Sequence, residues 1–465
     1  MKHCRPVEIN RCMQTFKKYS WVISSTMCIV AVAFVVHGAS AWIFSLIEQS
    51  AESALSIVFF EMAMICILSF VSFYLSRDKP LPSFVMALFF GIAAKPLLDP
   101  IIHHEIVLGA MVSICATLIL FQGGIETAWH DFRKLFLKIA LLAFPGVLLT
   151  AILFSFATTM AGTLVGILIP ATVAVMLGAI LASTDPAAII PLLQGLRFKD
   201  RSTKDIVVSE SAMNDVVGAL LTLVLIGFAK SDPFIGILDG FSRLFTSGSI
   251  LVLFQQMLFG VIAGVGGYYL LAYFSKHKKK NDFEHGADAA FFIFVPIIAF
   301  VGAFVFGGSG YLAAFIAGLV FSMVDHLHVT EHFFNHTIDG FAKPIIFLLL
   351  GALVDLKSLI AYAPVGILTA FVFILIVRPL TVFLMLLPFV LFGKNRMNVR
   401  QLLFISWVRE TGAIPAVLLV TVVSLGLAHT EALLPIGMWV ILLTLIIQPP
   451  LTPYIAKHLN LVEHT

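Results

Sequence analysis

Long apolar runs separated by short polar segments dominate the chain. A helix needs about 20 apolar residues to cross a membrane, and barrel strands would be shorter and alternating, so the pattern predicts an all-α polytopic membrane protein with about 13–14 transmembrane helices. The predicted spans are residues 21–47, 54–76, 81–98, 105–125, 135–160, 164–195, 206–229, 247–275, 287–306, 309–325, 335–355, 361–392, 401–427 and 433–456.

Composition supports this prediction. Of the 465 residues, 60% are hydrophobic and only 12% are charged, with a mean hydropathy of +1.03. A soluble chain carries roughly a quarter charged residues, so a set of soluble domains, a coiled coil and intrinsic disorder are excluded. The five cysteines form no CxxC pair, and neither a disulfide framework, a structural metal site nor a cofactor is expected.

The distribution of Lys and Arg predicts the orientation. With the N-terminus in the cytoplasm, nearly all Lys and Arg residues in the short loops fall on the inner side, as the positive-inside rule requires. We therefore expect a multi-pass protein of the cell membrane. Residues 21–47 also resemble a signal peptide, with Ala39-Ser40-Ala41 as its cleavage site, although the long basic tail before them favours a retained helix.

The first candidate site is Thr184-Asp185-Pro186, inside a predicted span. Proline interrupts a helix and frees backbone carbonyls, and irregular backbone at this depth must line a cavity or be packed in protein. An oxygen-rich break suits a monovalent cation. A simple kink, with Asp185 capping the next helical piece, is the equally favoured alternative.

The second candidate is the acidic stretch from Glu210 to Asp215. Ser211 and Asp215 share one helix face, and Glu210 and Asn214 share the neighbouring one. A carboxylate inside the membrane can hold a proton or a cation in competition, which is the minimal chemistry of an exchanger. Helix–helix contact is the less favoured interpretation. Arg378 needs a buried partner, and Glu210 is the carboxylate that we pair with it.

A second interrupted helix is predicted in the C-terminal half of the chain. Its residues are Arg409, Glu410, Gly412 and Pro415. Paired interruptions in the two halves of a chain indicate an inverted-repeat transporter with two broken helices crossing at the membrane midplane. Two unrelated kinks remain the alternative.

Taken in order, these motifs resemble the monovalent cation:proton antiporters, in particular the bacterial NhaP-like sodium/proton antiporters. The resemblance covers about residues 54–457. It implies that Asp215 binds the cation and the proton alternately, with Ser211 and Thr184 as further ligands of the transported Na⁺ and Asp185 completing the site. It also implies electroneutral exchange, because Asn214 stands where the electrogenic branch has an Asp.

The same resemblance implies a division of the chain into regions. Residues 1–53 form a basic tail with an extra helix or signal-like segment, 54–125 and 231–355 form scaffold and dimer helices, and 126–230 and 356–465 form the transport core. Glu210 and Arg378 resemble a structural ion bridge, while Pro186, Arg409, Glu410, Gly412 and Pro415 support the broken helices. Na⁺, H⁺, lipid and a second copy of the chain are the implied partners, without nucleic acid.

Two motifs depart from the family. Gln122, in Phe121-Gln-Gly-Gly-Ile125, replaces a frequent Glu, and Arg409 is shifted by two residues from its usual place, with its partner left open. A histidine-rich inner segment, with His326, His328, His332 and His336, is predicted to be a solvated loop, with a pH sensor or a metal site as less favoured alternatives.

The predicted function is secondary exchange of Na⁺, or of Li⁺ or K⁺, for H⁺ by alternating access. A K⁺ efflux pathway, a K⁺/H⁺ antiporter or a proton-coupled transporter of another small solute are the alternatives. An enzyme is not expected, because the chain carries no HExxH motif, no nucleophile elbow and no Ser/His pair at membrane depth.

Overall fold

The computed structural model describes residues 6–48, 53–76, 83–184, 193, 195–278, 286–323, 328–392, 396–427 and 429–463. Within these ranges the chain is almost entirely helical. The α-helices are α1 (Pro6–Glu48), α2 (Ser53–Ser76), α3 (Ser83–His103), α4 (Glu105–Glu126), α5 (Trp129–Ala143), α6 (Pro145–Val165), α7 (Ala171–Leu181), α8 (Arg201–Ser231), α9 (Ile237–Ser242), α10 (Ser247–Lys278), α11 (Gly286–Val305), α12 (Gly310–Phe321), α13 (His328–Thr337), α14 (Lys343–Leu353), α15 (Leu356–Ala361), α16 (Ala363–Val372), α17 (Arg378–Leu391), α18 (Val399–Trp407), α19 (Ala413–Ser424) and α20 (Thr430–His458). Two π-helical turns, Ile338–Ala342 and Phe373–Val377, and a 3₁₀ turn, Arg243–Phe245, join neighbouring helices.

The helical prediction is confirmed along the described chain. Ten helical segments are long and apolar enough to cross a membrane, and four shorter apolar helices lie in the remaining predicted spans. Many large apolar side chains on α1, α2, α10 and α11 are exposed, as expected for helices whose outer surface meets lipid. The molecule is therefore a multi-pass membrane protein.

Two predicted spans prove to be pairs of helices. In the span predicted at 135–160, α5 ends at Ala143 and Pro145 begins α6, where its missing N–H costs no hydrogen bond. In the span predicted at 401–427, residues 408–412 separate α18 from α19. Proline and glycine therefore mark true helix ends within apolar runs.

The prediction of a histidine-rich loop was wrong for residues 328–337, which form α13. Phe334 on this helix is buried and packs against Phe121 and Phe292, with ring centroids 5.7 Å and 5.3 Å away. This aromatic anchor holds the segment as a helix against α4 and α11. His326 lies outside the described residues.

Glycines allow two helix pairs to approach closely. A Cβ atom at Gly91 of α3 would lie 2.0 Å from the Leu348 carbonyl of α14, and one at Gly351 would lie 2.1 Å from the Leu88 carbonyl. The α4–α12 pair repeats this arrangement through Gly124 and Gly318. Without a hydrophobic driving force between helices in lipid, such small residues are what permits close backbone packing.

Candidate functional site

The first break lies at the end of α7. The helix ends at Leu181, and Ala182, Ser183 and Thr184 are buried without helical structure. The hydroxyl of Ser211 on α8 donates to the backbone carbonyl of Thr184, and the two hydroxyl oxygens are 3.3 Å apart. The structure thus brings together these two predicted ligands, whereas Asp185 and Pro186 lie outside the described residues.

The acidic stretch of α8 is buried along its whole length. The exposed fraction is 1% at Glu210, 0% at Asn214 and 6% at Asp215. The Asn214 amide nitrogen donates to Glu210 Oε1 over 2.7 Å, so these two side chains share one face. Asp215 lies one turn beyond Ser211, on the face that meets the first break.

Arg378 reaches Glu210 through a single nitrogen. Its Nη2 atom lies 2.9 Å from Glu210 Oε1 and 2.8 Å from Oε2, and it also approaches the Ile405 carbonyl at 3.4 Å. Both side chains of the ion pair are almost completely buried. The predicted partners are therefore in contact, and this ion pair joins α8 to the start of α17.

A π-helical turn positions this arginine. Phe373–Val377 is π-helical, and Arg378 and Pro379 follow directly. A proline within a continuing helix lacks the N–H for the normal bond and clashes with the carbonyl four residues earlier. Widening the preceding turn relieves the clash. The side chain of Arg378 is consequently presented from a turn that holds one residue more than an α-helical turn.

Arg409 joins the two breaks. It lies in the irregular segment 408–412, and its Nη2 atom donates to the carbonyl of Ala182 at the end of α7. Its Nη1 atom is 3.9 Å from Glu210 Oε1, and its guanidinium lies 5.9 Å from the ring centroid of Phe373. The partner that the sequence left open is therefore a carbonyl at the C-terminal end of α7, where the helix favours a nearby positive charge.

The second break is held by a polar stripe on α20 that the sequence analysis missed. Thr444 Oγ1 lies 2.6 Å from Thr411 Oγ1, and the Gln448 amide donates to the Trp407 carbonyl over 2.6 Å. The Trp407 indole donates in turn to Thr452 Oγ1 over 3.2 Å. The three α20 residues are spaced four apart, and this polar periodicity within an apolar run is a signal from which they could have been found.

The other predicted support residues lie at the start of α19. Gly412 immediately precedes the helix and Pro415 is its third residue, where a missing N–H costs no helical hydrogen bond. Glu410 is buried, with 2% of its surface exposed. The interruption between α18 and α19 therefore lies before Pro415.

Gly218 is a further residue that the sequence analysis did not single out. A Cβ atom at this position would lie 2.6 Å from the Cβ atom of Ser183 in the first break. The glycine thus allows α8 to press against the irregular backbone about one turn beyond Asp215.

A separate polar bridge connects α4 with the start of α14. The Gln122 amide donates to Glu126 over 2.9 Å and to Asp339 over 3.1 Å, and the Lys343 ammonium lies 2.8 Å from the same Asp339 oxygen. Gln122 thus takes part in a bridge between helices.

Counted in their ionised forms, the buried side chains in the described part of the site carry an excess of one negative charge. Three buried carboxylates, Glu210, Asp215 and Glu410, accompany two buried guanidinium groups, Arg378 and Arg409. Buried charge must be compensated. Arg378 contacts Glu210, and Arg409 directly precedes Glu410 in the sequence. One bound proton or one monovalent cation at Asp215 would balance this set.

Comparisons with known proteins identify the family of this chain. A family profile described as the transmembrane region of sodium/hydrogen exchangers matches residues 65–458. The chain is 31% identical over 317 residues to a K⁺/H⁺ antiporter NhaP of Alkalimonas amylolytica, covering 66% of this chain and 50% of that protein. It is 29% identical over 336 residues to a K⁺/H⁺ antiporter NhaP2 of Shewanella oneidensis, covering 71% of this chain and 54% of that one. The chain thus spans about half the length of these relatives.

A solved structure shows the same fold. The sodium proton antiporter MjNhaP1 from Methanocaldococcus jannaschii superposes with a TM-score of 0.68 at 21% identity, covering 85% of this chain and 99% of that one. The predicted antiporter fold is thereby confirmed. Because the profile match runs from α2 to the end of α20, the chain belongs to the sodium/hydrogen exchanger family.

Proposed function

We propose that the chain exchanges a monovalent cation for H⁺ by alternating access at Asp215. The observation that carries this proposal is the meeting of a buried carboxylate helix with a helix break. The Ser211 hydroxyl donates a hydrogen bond to the Thr184 carbonyl, so the oxygen lone pairs of Ser211 remain available to a cation. Together with the Thr184 hydroxyl and the Asp215 carboxylate they form an all-oxygen ligand set, which suits Na⁺ or K⁺.

Asp185, Asn214 and the ion pair have distinct roles in this proposal. Asp185 completes the cation site from the segment beyond Thr184. Asn214 is neutral and its amide is engaged by Glu210, so only Asp215 is left to titrate on this turn of α8. One cation then exchanges for one proton. Glu210 and Arg378 hold the helices in register, and Arg409, Glu410, Gly412, Pro186 and Pro415 support the breaks.

The regions of the chain move differently in this proposal. Residues 126–230 and 356–465 form the moving core, because they contain both breaks and the charged cluster between them. Residues 54–125 and 231–355 form the scaffold and the surface for a homodimer within the lipid bilayer. Alternating access then consists of movement of the core against this scaffold.

The experiment is transport in proteoliposomes loaded with a pH-sensitive dye. We expect Na⁺, Li⁺ or K⁺ to release accumulated protons, and we expect Asp215→Asn to abolish this release while the protein elutes as a folded species. The matched control is Thr222→Val, a buried substitution two turns along the same helix. Full activity of Asp215→Asn would refute the role of this carboxylate.

Electroneutrality is tested in the same vesicles with a potential-sensitive dye. One-for-one exchange creates no membrane potential, so we expect the potential signal to stay flat while protons move. A potential that follows turnover would contradict the stoichiometry without contradicting exchange itself. Addition of a K⁺ ionophore provides the positive control for the dye.

K⁺ is the second candidate for the main transported ion. It is favoured by two relatives, from Alkalimonas amylolytica and Shewanella oneidensis, that are named K⁺/H⁺ antiporters. Another relative, from Methanocaldococcus jannaschii, is named a probable Na⁺/H⁺ antiporter and is 28% identical over 284 residues. Half-maximal concentrations for Na⁺ and K⁺, measured side by side at one pH, decide between the two ions.

A further inference from the structure

Two exposed histidines on α13 converge on each other. His332 and His336 lie four residues apart and therefore on one face of the helix. Their Nε2 atoms are 3.3 Å apart, and their ring centroids are separated by 4.4 Å at an interplanar angle of 65°. Both side chains are exposed to solvent, so burial does not force the contact.

The separation of the two nitrogens matches a metal chelate. Zinc–imidazole bonds are about 2.0–2.1 Å long, and two such bonds from nitrogens 3.3 Å apart meet at an angle of about 105°, close to that of a tetrahedral site. Paired histidines four residues apart on a helix are also how zinc is held in helical HExxH sites. We propose that His332 and His336 bind one divalent transition-metal ion, such as Zn²⁺ or Ni²⁺, through their Nε2 atoms.

The residues around His332 and His336 determine how many ligands the protein provides. Among the described residues, no group of three or more His, Cys, Asp or Glu side chains could hold a metal ion. Asp339 follows one turn later, but one of its oxygens already contacts Lys343 and Gln122. The described residues therefore supply two ligands, and water completes the coordination. Both imidazoles bind as neutral rings, so protons compete with the metal.

The position of the site gives it a structural consequence. α13 continues directly into the π-helical turn Ile338–Ala342 and then into α14. A metal ion that joins His332 to His336 clamps the helical turn immediately before the bridge of Asp339 and Lys343. This inference does not depend on the proposed exchange activity, because it concerns binding alone.

The test is calorimetric titration of the full chain, purified in detergent at pH 7.5 after removal of any affinity tag, with Zn²⁺ and with Ni²⁺. Two ligands on one helix that bind the same ion raise its affinity by about 10²-fold or more over a single ligand. His332→Gln and His336→Gln should therefore each weaken metal binding by about a hundredfold. The matched control is His130→Gln, an exposed histidine on α5, which should bind as the parent does.

Spectroscopy on the same proteins provides an independent readout. With one equivalent of Cu²⁺, the parent should give an electron paramagnetic resonance spectrum with two equatorial nitrogen ligands, and each single His→Gln variant should give at most one. Unchanged affinity in His332→Gln, an equal loss in His130→Gln, or a single-nitrogen spectrum in the parent would overturn the proposal. Glutamine is a good helix former at an exposed position, so the variants are expected to fold.

Discussion

Replacing Arg378 tests the energetic role of the ion pair with Glu210. Arg378→Met leaves the Glu210 carboxylate, which is 1% exposed, with the Asn214 amide at 2.7 Å and the more distant Arg409 guanidinium at 3.9 Å as its neighbours. Removing one partner of a buried ion pair costs about 3–5 kcal/mol. With an unfolding entropy of about 2 cal/mol/K per residue, a chain of 465 residues loses roughly 1 °C of Tm per kcal/mol, so we expect a decrease of about 3–5 °C.

A second substitution in the same protein identifies the cause of this loss. Arg378→Met combined with Glu210→Gln removes the carboxylate charge that has lost its closest partner and keeps an acceptor for Asn214, so most of the lost stability should return. Arg378→Lys should lose less than Arg378→Met, because the contact uses a single arginine nitrogen that an ammonium group can replace. Thermal unfolding in detergent, followed by tryptophan fluorescence, measures all three variants. A double variant no more stable than Arg378→Met would refute this reasoning.

Two further predictions concern Asp200 and Asp339. Partial burial raises the pKa of Asp200, but hydrogen bonds from Ser202 and Gln401 outweigh it and hold that pKa below its ordinary value. Asp200→Ala should therefore lower the free energy of unfolding by about 1 kcal/mol at neutral pH. The difference in Tm between this variant and the parent should shrink as the pH falls through the lowered pKa of Asp200. A difference in Tm that does not change with pH would contradict this. Asp339→Asn removes the negative charge beside the buried Lys343 ammonium, whereas Lys343→Met leaves a half-exposed carboxylate that water can solvate. Asp339→Asn should therefore destabilise the protein more than Lys343→Met does. The reverse order in thermal unfolding would contradict this.

The sequence predicted the helices and much of the charged site because both depend on local rules. Apolar length gave the spans, and the four-residue spacing placed Ser211 with Asp215 and Glu210 with Asn214 on α8. The Glu210–Arg378 contact was also predictable, since a buried charge requires a partner and few were available.

The remaining features depend on long-range geometry that local patterns do not carry. Arg409 donates to the Ala182 carbonyl, and a backbone acceptor more than two hundred residues away leaves no trace in residue types. Residues 328–337 looked like a loop because histidines and polar residues are frequent there, whereas the packing of Phe334 makes them a helix. Thr444 and Gln448 were read as part of an apolar span because the partners of their hydrogen bonds lie on other segments.

The π-helical turn before Arg378 has a consequence for how relatives of this chain can differ in length. A π-helical turn accommodates one residue more than an α-helical turn, so deleting one residue from Phe373–Val377 would restore a regular helix and keep the guanidinium of Arg378 directed towards Glu210. The same extra residue in a helix that stayed α-helical throughout would rotate everything that follows by about 100°. The π-helical turn Ile338–Ala342 likewise directly precedes a basic residue and a proline, Lys343 and Pro344. One-residue alignment gaps at these two places should therefore be compatible with retention of the basic residue that follows.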